Sequence, residues 1–172
     1  MTKFDVTVLD AGAAAAAIDE LAEVLVDCVA GGASVSFMAP FGQDDAAVYF
    51  RAVIASVERG ETVIVAARID GRIVGTVQLG LDTPPNQPHR ADVKKMLTHR
   101  SARRRGIGAA MLALIEAEAK ERGRTILVLD TASGDAERLY SRAGWQRVGV
   151  VPDYALWPHG GLCDTTFFWK RV

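Results

Sequence analysis

Three arginines followed by a Gly-x-Gly pair form the most chemically informative segment, Arg103-Arg104-Arg105-Gly106-Ile107-Gly108-Ala109. The residues after it predict a helix, whose first N–H groups lack intrahelical partners and carry a partial positive charge. Glycines let such a backbone approach an anion closely, and arginine side chains add donors for phosphate oxygens. Because the arginines crowd the positive end of a helix, they favour a bound anion. The segment therefore predicts a diphosphate-binding turn.

Other interpretations of this turn fit less well. A Walker motif requires a Gly-Lys-Ser/Thr sequence, which does not occur at the required spacing. Gly106 and Gly108, with Asp130 roughly twenty residues further on, match part of a dinucleotide-binding fingerprint. However, Met111 occupies the third glycine position, and too little chain follows Asp130 for a doubly wound sheet. The simplest alternative is that the arginines are solvent-exposed residues at the start of the helix, that the glycines serve only the turn, and that no ligand binds there. Nucleic-acid binding is disfavoured, since no aromatic and basic surface accompanies the arginines.

Two aspartates and a tyrosine are candidates for acid–base chemistry. Asp130 ends an almost entirely apolar segment, 125–130, of the type buried on both sheet faces. A carboxylate there is costly unless it is paired or functional. Asp92 lies between basic residues, so a surface ion pair is an equally good interpretation. Tyr140 is a half-buried core residue on sequence grounds alone. No metal site is predicted, because metal-ligand spacing is lacking among His89, His99 and His159.

Composition and charge restrict the class of protein. The chain has 172 residues, enough for one domain with a substantial core, and a formal net charge of −1. Such a charge provides no global attraction to nucleic acid or to an anionic membrane. Cys28 and Cys163 show no metal-ligand spacing and suit a reducing compartment. No segment has the pattern of a signal peptide or membrane span. We therefore expect a cytoplasmic domain without nucleic-acid or membrane partners.

The hydrophobic pattern predicts elements in the order β-αα-βββ-α-β-α-ββ. The predicted helices cover 18–29, 44–58, 106–122 and 135–142. The predicted strands cover 4–9, 62–68, 72–81, 91–98, 125–130, 145–150 and 165–170. Asp70-Gly71 predicts a tight hairpin turn between two of them. Lys94 and Lys95 interrupt the pattern of the strand that precedes the glycine-arginine turn. This order predicts one mixed α/β domain without a linker.

Two blocks of the sequence resemble the GNAT superfamily of N-acetyltransferases. The first, Arg103-x-x-Gly106-x-Gly108, resembles its coenzyme A signature. The second, residues 136–145, resembles an A-x-x-L-Y-x-x-x-G-F block with Trp145 in place of phenylalanine. The resemblance implies a single acetyltransferase domain over 1–172 with a coenzyme-binding core at about 90–145. It implies an α+β fold with a mixed, mostly antiparallel sheet of six to seven strands, flanked by about four helices.

Within the superfamily, the chain resembles the tabtoxin-resistance group over nearly its whole length. The similarity includes residues 31–38, 90–93 and the tail from 152 to 170. Glutamate is usual where this chain has Asp92, which shortens the reach of a base at that position. Proline is usual at Arg100. The resemblance implies acetylation of a small-molecule amine, such as an amino-acid-like toxin or antibiotic.

The same resemblance assigns roles to individual residues. It implies acetyl-CoA as cosubstrate, without a metal, and a homodimer. Coenzyme contacts fall to Met96, Leu97, Thr98, Arg103, Arg104, Arg105, Gly106, Ile107, Gly108 and Ala109. Asp92 or Asp130 accepts the proton of the amine, and Tyr140 donates to the departing sulfur. Ser34 and Phe37 join both aspartates in contacting the acceptor. A non-catalytic acyl-CoA sensor of the same fold is the alternative.

Overall fold

A single seven-stranded sheet organises the chain, and the computed structural model describes residues 3–172. The elements are β1 Phe4–Leu9, α1 Ala11–Ala16, α2 Ile18–Ala30, α3 Gln43–Glu58, β2 Thr62–Ile69, β3 Arg72–Gly80, β4 Arg90–Thr98, α4 Ile107–Glu121, β5 Ile126–Thr131, α5 Gly134–Arg142, β6 Gln146–Leu156 and β7 Leu162–Arg171. The strand order is β1-β2-β3-β4-β5-β7-β6, and all neighbours are antiparallel except β4 and β5. The expected mixed, mostly antiparallel sheet is confirmed.

The described residues contain five α-helices rather than about four, because α1 was not predicted. Its alanine-rich sequence has no apolar periodicity that would predict a helix. Two local features of the sequence do favour one. Alanine has the highest helix propensity, and the Asp10 carboxylate caps the helix by accepting the Ala13 N–H at 2.7 Å. No helix in the described part of the chain has the length and apolar character needed to cross a membrane.

Helices cover the two sheet faces unequally. One core lies between the sheet and α4 with α5, and includes Met111, Ile115 and Leu127. The other lies under α1, α2 and α3, and includes Leu25 and Phe50. The expected burial of β5 on both faces is wrong. Its leucines are buried, but its alternate residues are half-buried or exposed, since the second core involves β1 to β4 and not β5.

Turns and bulges explain where the strand predictions succeed or stop short. The hairpin turn is confirmed, with φ of 50° at Asp70 and 82° at Gly71. β6 and β7 are longer than predicted, because they continue past a register shift between Val151 and Ala155. The lysines that interrupt the β4 pattern mark a β-bulge, where Lys95 has φ of 54° and the β3 register shifts. β4 therefore changes the direction of its side chains just before its carboxyl end.

Candidate active site

β4 and β5 pair only along their first halves. Residues Arg90 to Asp92 are in register with residues Ile126 to Val128. Beyond that point β4 continues beside β3 as far as Thr98, while β5 continues beside β7 as far as Thr131. The two parallel strands therefore leave a gap between them at their carboxyl ends, the place where open α/β sheets bind ligands.

Peptide groups of β4 face this gap. The His99 N–H donates to the Val74 carbonyl at 2.8 Å. Because peptide groups in an antiparallel pair alternate in direction, that of Thr98 points away from β3. The Thr98 carbonyl accepts a hydrogen bond from Arg103 Nε at 3.1 Å, while the Leu97 side chain is buried in the core. An extended ligand in the gap can therefore hydrogen-bond to β4 as an added strand does.

The turn that opens α4 lies just after the carboxyl end of β4. Gly106 has φ of 82°, and Arg104 has φ of 62°, so two residues adopt the left-handed conformation. The Ala110 N–H donates to the Gly106 carbonyl at 3.1 Å, so the amides of residues 107–109 precede the helical ladder. The first turn of α4 contains no acidic residue. These features produce a local positive potential suited to a diphosphate.

The three arginines of the turn have different positions. Arg103 binds the Thr98 carbonyl, and Arg105 donates to the Ser101 carbonyl at 3.1 Å. Arg104 is exposed and makes no hydrogen bond or ion pair within residues 3–172. Two arginines thus stabilise the shape of the turn, and the third presents a free guanidinium to solvent.

Gly108 has a packing role that the sequence did not predict. We expected its lack of a side chain to allow close approach of phosphate. A Cβ atom at Gly108 would lie 3.2 Å from Leu139 Cδ2, so the glycine also allows α4 to pack closely against α5. Gly106 has no such neighbour and is required instead for its positive φ. A large residue at Gly108 would therefore disturb the fold as well as the turn.

Tyr140 lies on α5 in an aromatic cluster and is only 3 % exposed. Its ring centroid is 5.8 Å from those of both Trp145 and Phe168. Burial raises the pKa of Tyr140 well above its usual range, and the negative charge of Asp130 raises it further. The hydroxyl therefore stays protonated, and it makes no hydrogen bond within the described chain. A protonated phenol without a partner is suited to donate to a leaving group.

Asp130 lines a cavity of about 280 Å³ beside the carboxyl end of β5. Ser34 and Phe37 line the same cavity, so three of the expected acceptor contacts are brought together. The Thr165 hydroxyl donates to Asp130 Oδ2 at 2.8 Å, which orients the carboxylate. Asp130 also influences the pKa of Tyr140, so the acid and the tyrosine belong to one electrostatic environment.

A family model described as the acetyltransferase (GNAT) family matches residues 18–145. The chain belongs to this family. The match includes β4, the turn and all of α5, so the expected family resemblance is confirmed on the elements that build the site. The chain is therefore an acetyltransferase.

Solved structures agree with the fold of this acetyltransferase. An N-acetyltransferase from Staphylococcus aureus Mu50 is 18 % identical, with a TM-score of 0.81 and 98 % of each chain covered. A phosphinothricin acetyltransferase from Sinorhizobium meliloti, solved in complex with acetyl-CoA, is 20 % identical, with a TM-score of 0.80, covering 100 % of this chain and 89 % of that one. An aminoglycoside 6′-acetyltransferase type Ii is 19 % identical, with a TM-score of 0.73, covering 97 % and 96 %.

Asp92 lies apart from the cavity of this acetyltransferase. Its two carboxylate oxygens accept hydrogen bonds from Arg90 at 3.0 and 3.2 Å. This is the surface ion pair that the sequence left open as an alternative. Asp92 does not line the cavity, whereas Asp130 does.

Several cavity residues were not predicted. They come from the loop after α2 and from the β6–β7 hairpin: Ser36, Met38, Cys163 and Thr165. No motif or spacing in the sequence links these distant segments. They meet in the folded protein because the sheet order places β7 beside β5. Within residues 3–172, no group of three or more His, Cys, Asp or Glu side chains is arranged to hold a metal ion.

Burial of Tyr140 predicts a stability effect at high pH. An unfolded tyrosine ionises at about pH 10, whereas the raised pKa of Tyr140 keeps it protonated in the folded state. Its stabilising contribution is therefore present below pH ~10 and is lost as the pH rises above it. We expect the Tm of Tyr140→Phe to fall less than that of the wild type between about pH 9 and 11. Equal losses in thermal unfolding experiments would show that Tyr140 ionises normally.

Proposed function

We propose that this enzyme transfers the acetyl group of acetyl-CoA to the amine of a small molecule. The observation that carries the proposal is the gap between the carboxyl ends of β4 and β5. The turn before α4 follows the end of β4, and the cavity at Asp130 lies beside the end of β5. A donor with a diphosphate at one end and a thioester at the other suits this arrangement. The proposed domain covers residues 1–172, with the coenzyme-binding core at about 90–145.

The coenzyme contacts follow from the backbone. The amides of residues 107–109 and the Arg104 guanidinium bind the diphosphate, since α4 presents its positive end there. The peptide groups of Met96 and Thr98 bind the pantetheine arm along the edge of β4. Leu97 contributes only its backbone position in β4, because its side chain is buried in the core. Acetyl-CoA supplies a thioester that an uncharged amine can attack.

Asp130 and Tyr140 manage the protons in this proposal. An alkylamine is mostly protonated at pH ~7 and cannot attack until it loses a proton. Asp130 accepts that proton, directly or through a water, because it is the carboxylate that lines the cavity. Tyr140 donates a proton to the departing sulfur, since its raised pKa keeps the hydroxyl protonated. Asp92 contributes charge balance around Arg90 rather than proton transfer.

The proposed acceptor is an amino-acid-like amine, as in the tabtoxin-resistance group, and the proposed role is detoxification of a toxin or antibiotic. The aminoglycoside and phosphinothricin acetyltransferases of similar fold support a role of this kind. We also propose a cytoplasmic homodimer. Both cysteines are free and buried, as suits a reducing compartment. Sedimentation of the purified protein tests the homodimer.

Release of free thiol tests the function. A library of amines is incubated with acetyl-CoA and the enzyme, and thiol formation is followed together with mass spectrometry of the acetylated amine. At least one amine is expected to give stoichiometric thiol and N-acetyl product. If the protein binds acetyl-CoA but thiol release stays at the amine-independent background with every amine in the library, the protein is a sensor and not an enzyme of this reaction.

The free arginine of the turn predicts a coenzyme effect. Arg104→Glu places a negative charge where the diphosphate binds, so the KM for acetyl-CoA is expected to rise about 10- to 100-fold. The Tm should change little, because the Arg104 side chain has no partner within the described chain. Arg51→Glu, an exposed arginine on α3, provides the matched control. Equal KM values for the two variants would exclude Arg104 from the diphosphate site.

A further inference from the structure

Lys95 lies at the bulge of β4 and has no role in the proposed mechanism. Its φ of 54° turns the residue out of the regular pleat. Its Nζ donates to Ser36 Oγ at 2.8 Å and lies 5.5 Å from the Phe37 ring centroid. Ser36 and Phe37 both line the cavity that contains Asp130. Lys95 itself does not line the cavity, and its ammonium group lies against two residues that do.

The charge of Lys95 has no direct counter-ion within residues 3–172. Asp130 is close enough to favour the charged amine, but the two groups form no ion pair. The residue is half-buried, whereas its neighbour Lys94 is exposed. Burial, and then the like charge of Lys94, lower the pKa of Lys95. A partly desolvated cation held by one hydroxyl and one ring is costly unless an anion binds beside it.

Two opposite charges that do not neutralise each other directly thus lie at the cavity, Asp130 in its lining and Lys95 on the lining residue Ser36. Asp130 suits the amine of an acceptor, and Lys95 suits an anionic group of the same molecule. At about 280 Å³ the cavity is at the small end of ligand sites, which are typically about 300–1,000 Å³. A compact molecule with both charges satisfies both residues at once. A polyamine or an aminoglycoside would instead place a cation against Lys95.

We propose that Lys95, together with Ser36, binds an anionic group of the acceptor, so that the enzyme prefers amines that also carry a carboxylate, phosphonate or phosphinate. This inference rests on the proposed acetyl transfer and narrows its acceptor class. Lys95 acts in binding and orientation, and the proton transfers stay with Asp130 and Tyr140. The anion fixes the acceptor so that its amine lies on the Asp130 side of the cavity.

The test compares each acceptor that carries the anion with the matched compound that lacks it. The twenty L-amino acids are assayed for thiol release against their carboxamides, with spermidine and kanamycin as purely cationic amines. For the best acceptor, the acid is expected to exceed its amide in kcat/KM by about 10- to 100-fold, the range for a charged hydrogen bond. The difference should lie mainly in the KM for the acceptor.

The lysine variants assign this preference to its residue. Lys95→Met should abolish the preference for the acid, while the KM for acetyl-CoA stays unchanged. Lys94→Met replaces the exposed neighbour and should retain the preference. Ser36→Ala should reduce it partly, which keeps the test valid if Lys95→Met folds poorly. Circular dichroism confirms the fold of each variant.

The outcomes separate this inference from the proposed function. Acetylation of amides or purely cationic amines as efficiently as acids would overturn the anion site while leaving acetyl transfer intact. Retention of the preference in a folded Lys95→Met would also overturn it. Absence of thiol release with every amine would contradict the proposed function. In that case, equal calorimetric affinities of the acids and amides for the coenzyme A complex would contradict the anion site as well.

Discussion

Asp130→Asn is expected to lower kcat by about 10²- to 10³-fold, the range for loss of a positioned general base. The asparagine oxygen can still accept the hydrogen bond from the Thr165 hydroxyl, so the fold and the cavity are retained. The variant cannot take a proton from the amine, and the deficit should shrink as the pH rises and free amine accumulates. Steady-state thiol release between about pH 7 and 10 measures both effects.

Asp92→Asn is the matched control for this prediction. It removes one carboxylate from the ion pair with Arg90, at a half-buried position outside the cavity. Because Asp92 lies outside the cavity and partly exposed ion pairs contribute little to stability, kcat should change less than about threefold. If Asp92→Asn gives the large loss of kcat and Asp130→Asn the small one, the base is Asp92. The ion pair with Arg90 must then open during the reaction.

Tyr140→Phe is expected to lower kcat by roughly 10²-fold while leaving both KM values nearly unchanged. Phenylalanine keeps the ring contacts with Trp145 and Phe168, so the aromatic cluster should be preserved. The lost group is the proton donor for the departing sulfur. Initial rates at saturating acetyl-CoA and acceptor measure the change in kcat.

Tyr49→Phe provides a control in the same protein. Burial also raises the pKa of Tyr49, but its hydroxyl donates to Gln78 Oε1 at 3.0 Å beneath α3. Removing the Tyr49 hydroxyl should lower the free energy of unfolding by about 1–2 kcal/mol, because the buried Gln78 Oε1 loses its donor. The value of kcat should not fall. A Tyr140→Phe variant that loses stability but keeps its kcat would show that Tyr140 is a core residue only.

The sequence was most informative where a local pattern has a local physical cause. Three arginines and Gly106 predict an anion-binding turn because the helix start and the positive φ are both properties of neighbouring residues. The hairpin at Asp70-Gly71 follows in the same way. The choice of acetyl transfer came from the resemblance of two blocks, and the family match over residues 18–145 confirms that resemblance.

The remaining features depend on contacts between distant segments. The sequence leaves both Asp92 and Asp130 as candidate bases, and the pairing of Asp92 with Arg90 and the place of β7 beside β5 separate them in the structure. Gly108 matches a phosphate motif, yet its contact with Leu139 depends on how α5 packs. Lys95 interrupts a strand pattern, and the bulge that turns it toward the cavity is visible only with β3 in register.

A crystal structure with acetyl-CoA tests the central claim most directly. We expect the diphosphate on the amides of residues 107–109, the pantetheine arm along the edge of β4 in the gap beside β5, and the thioester between Asp130 and Tyr140. Electron density for acetyl-CoA on another surface, with β4 and β5 closed together and the turn bare, would contradict it.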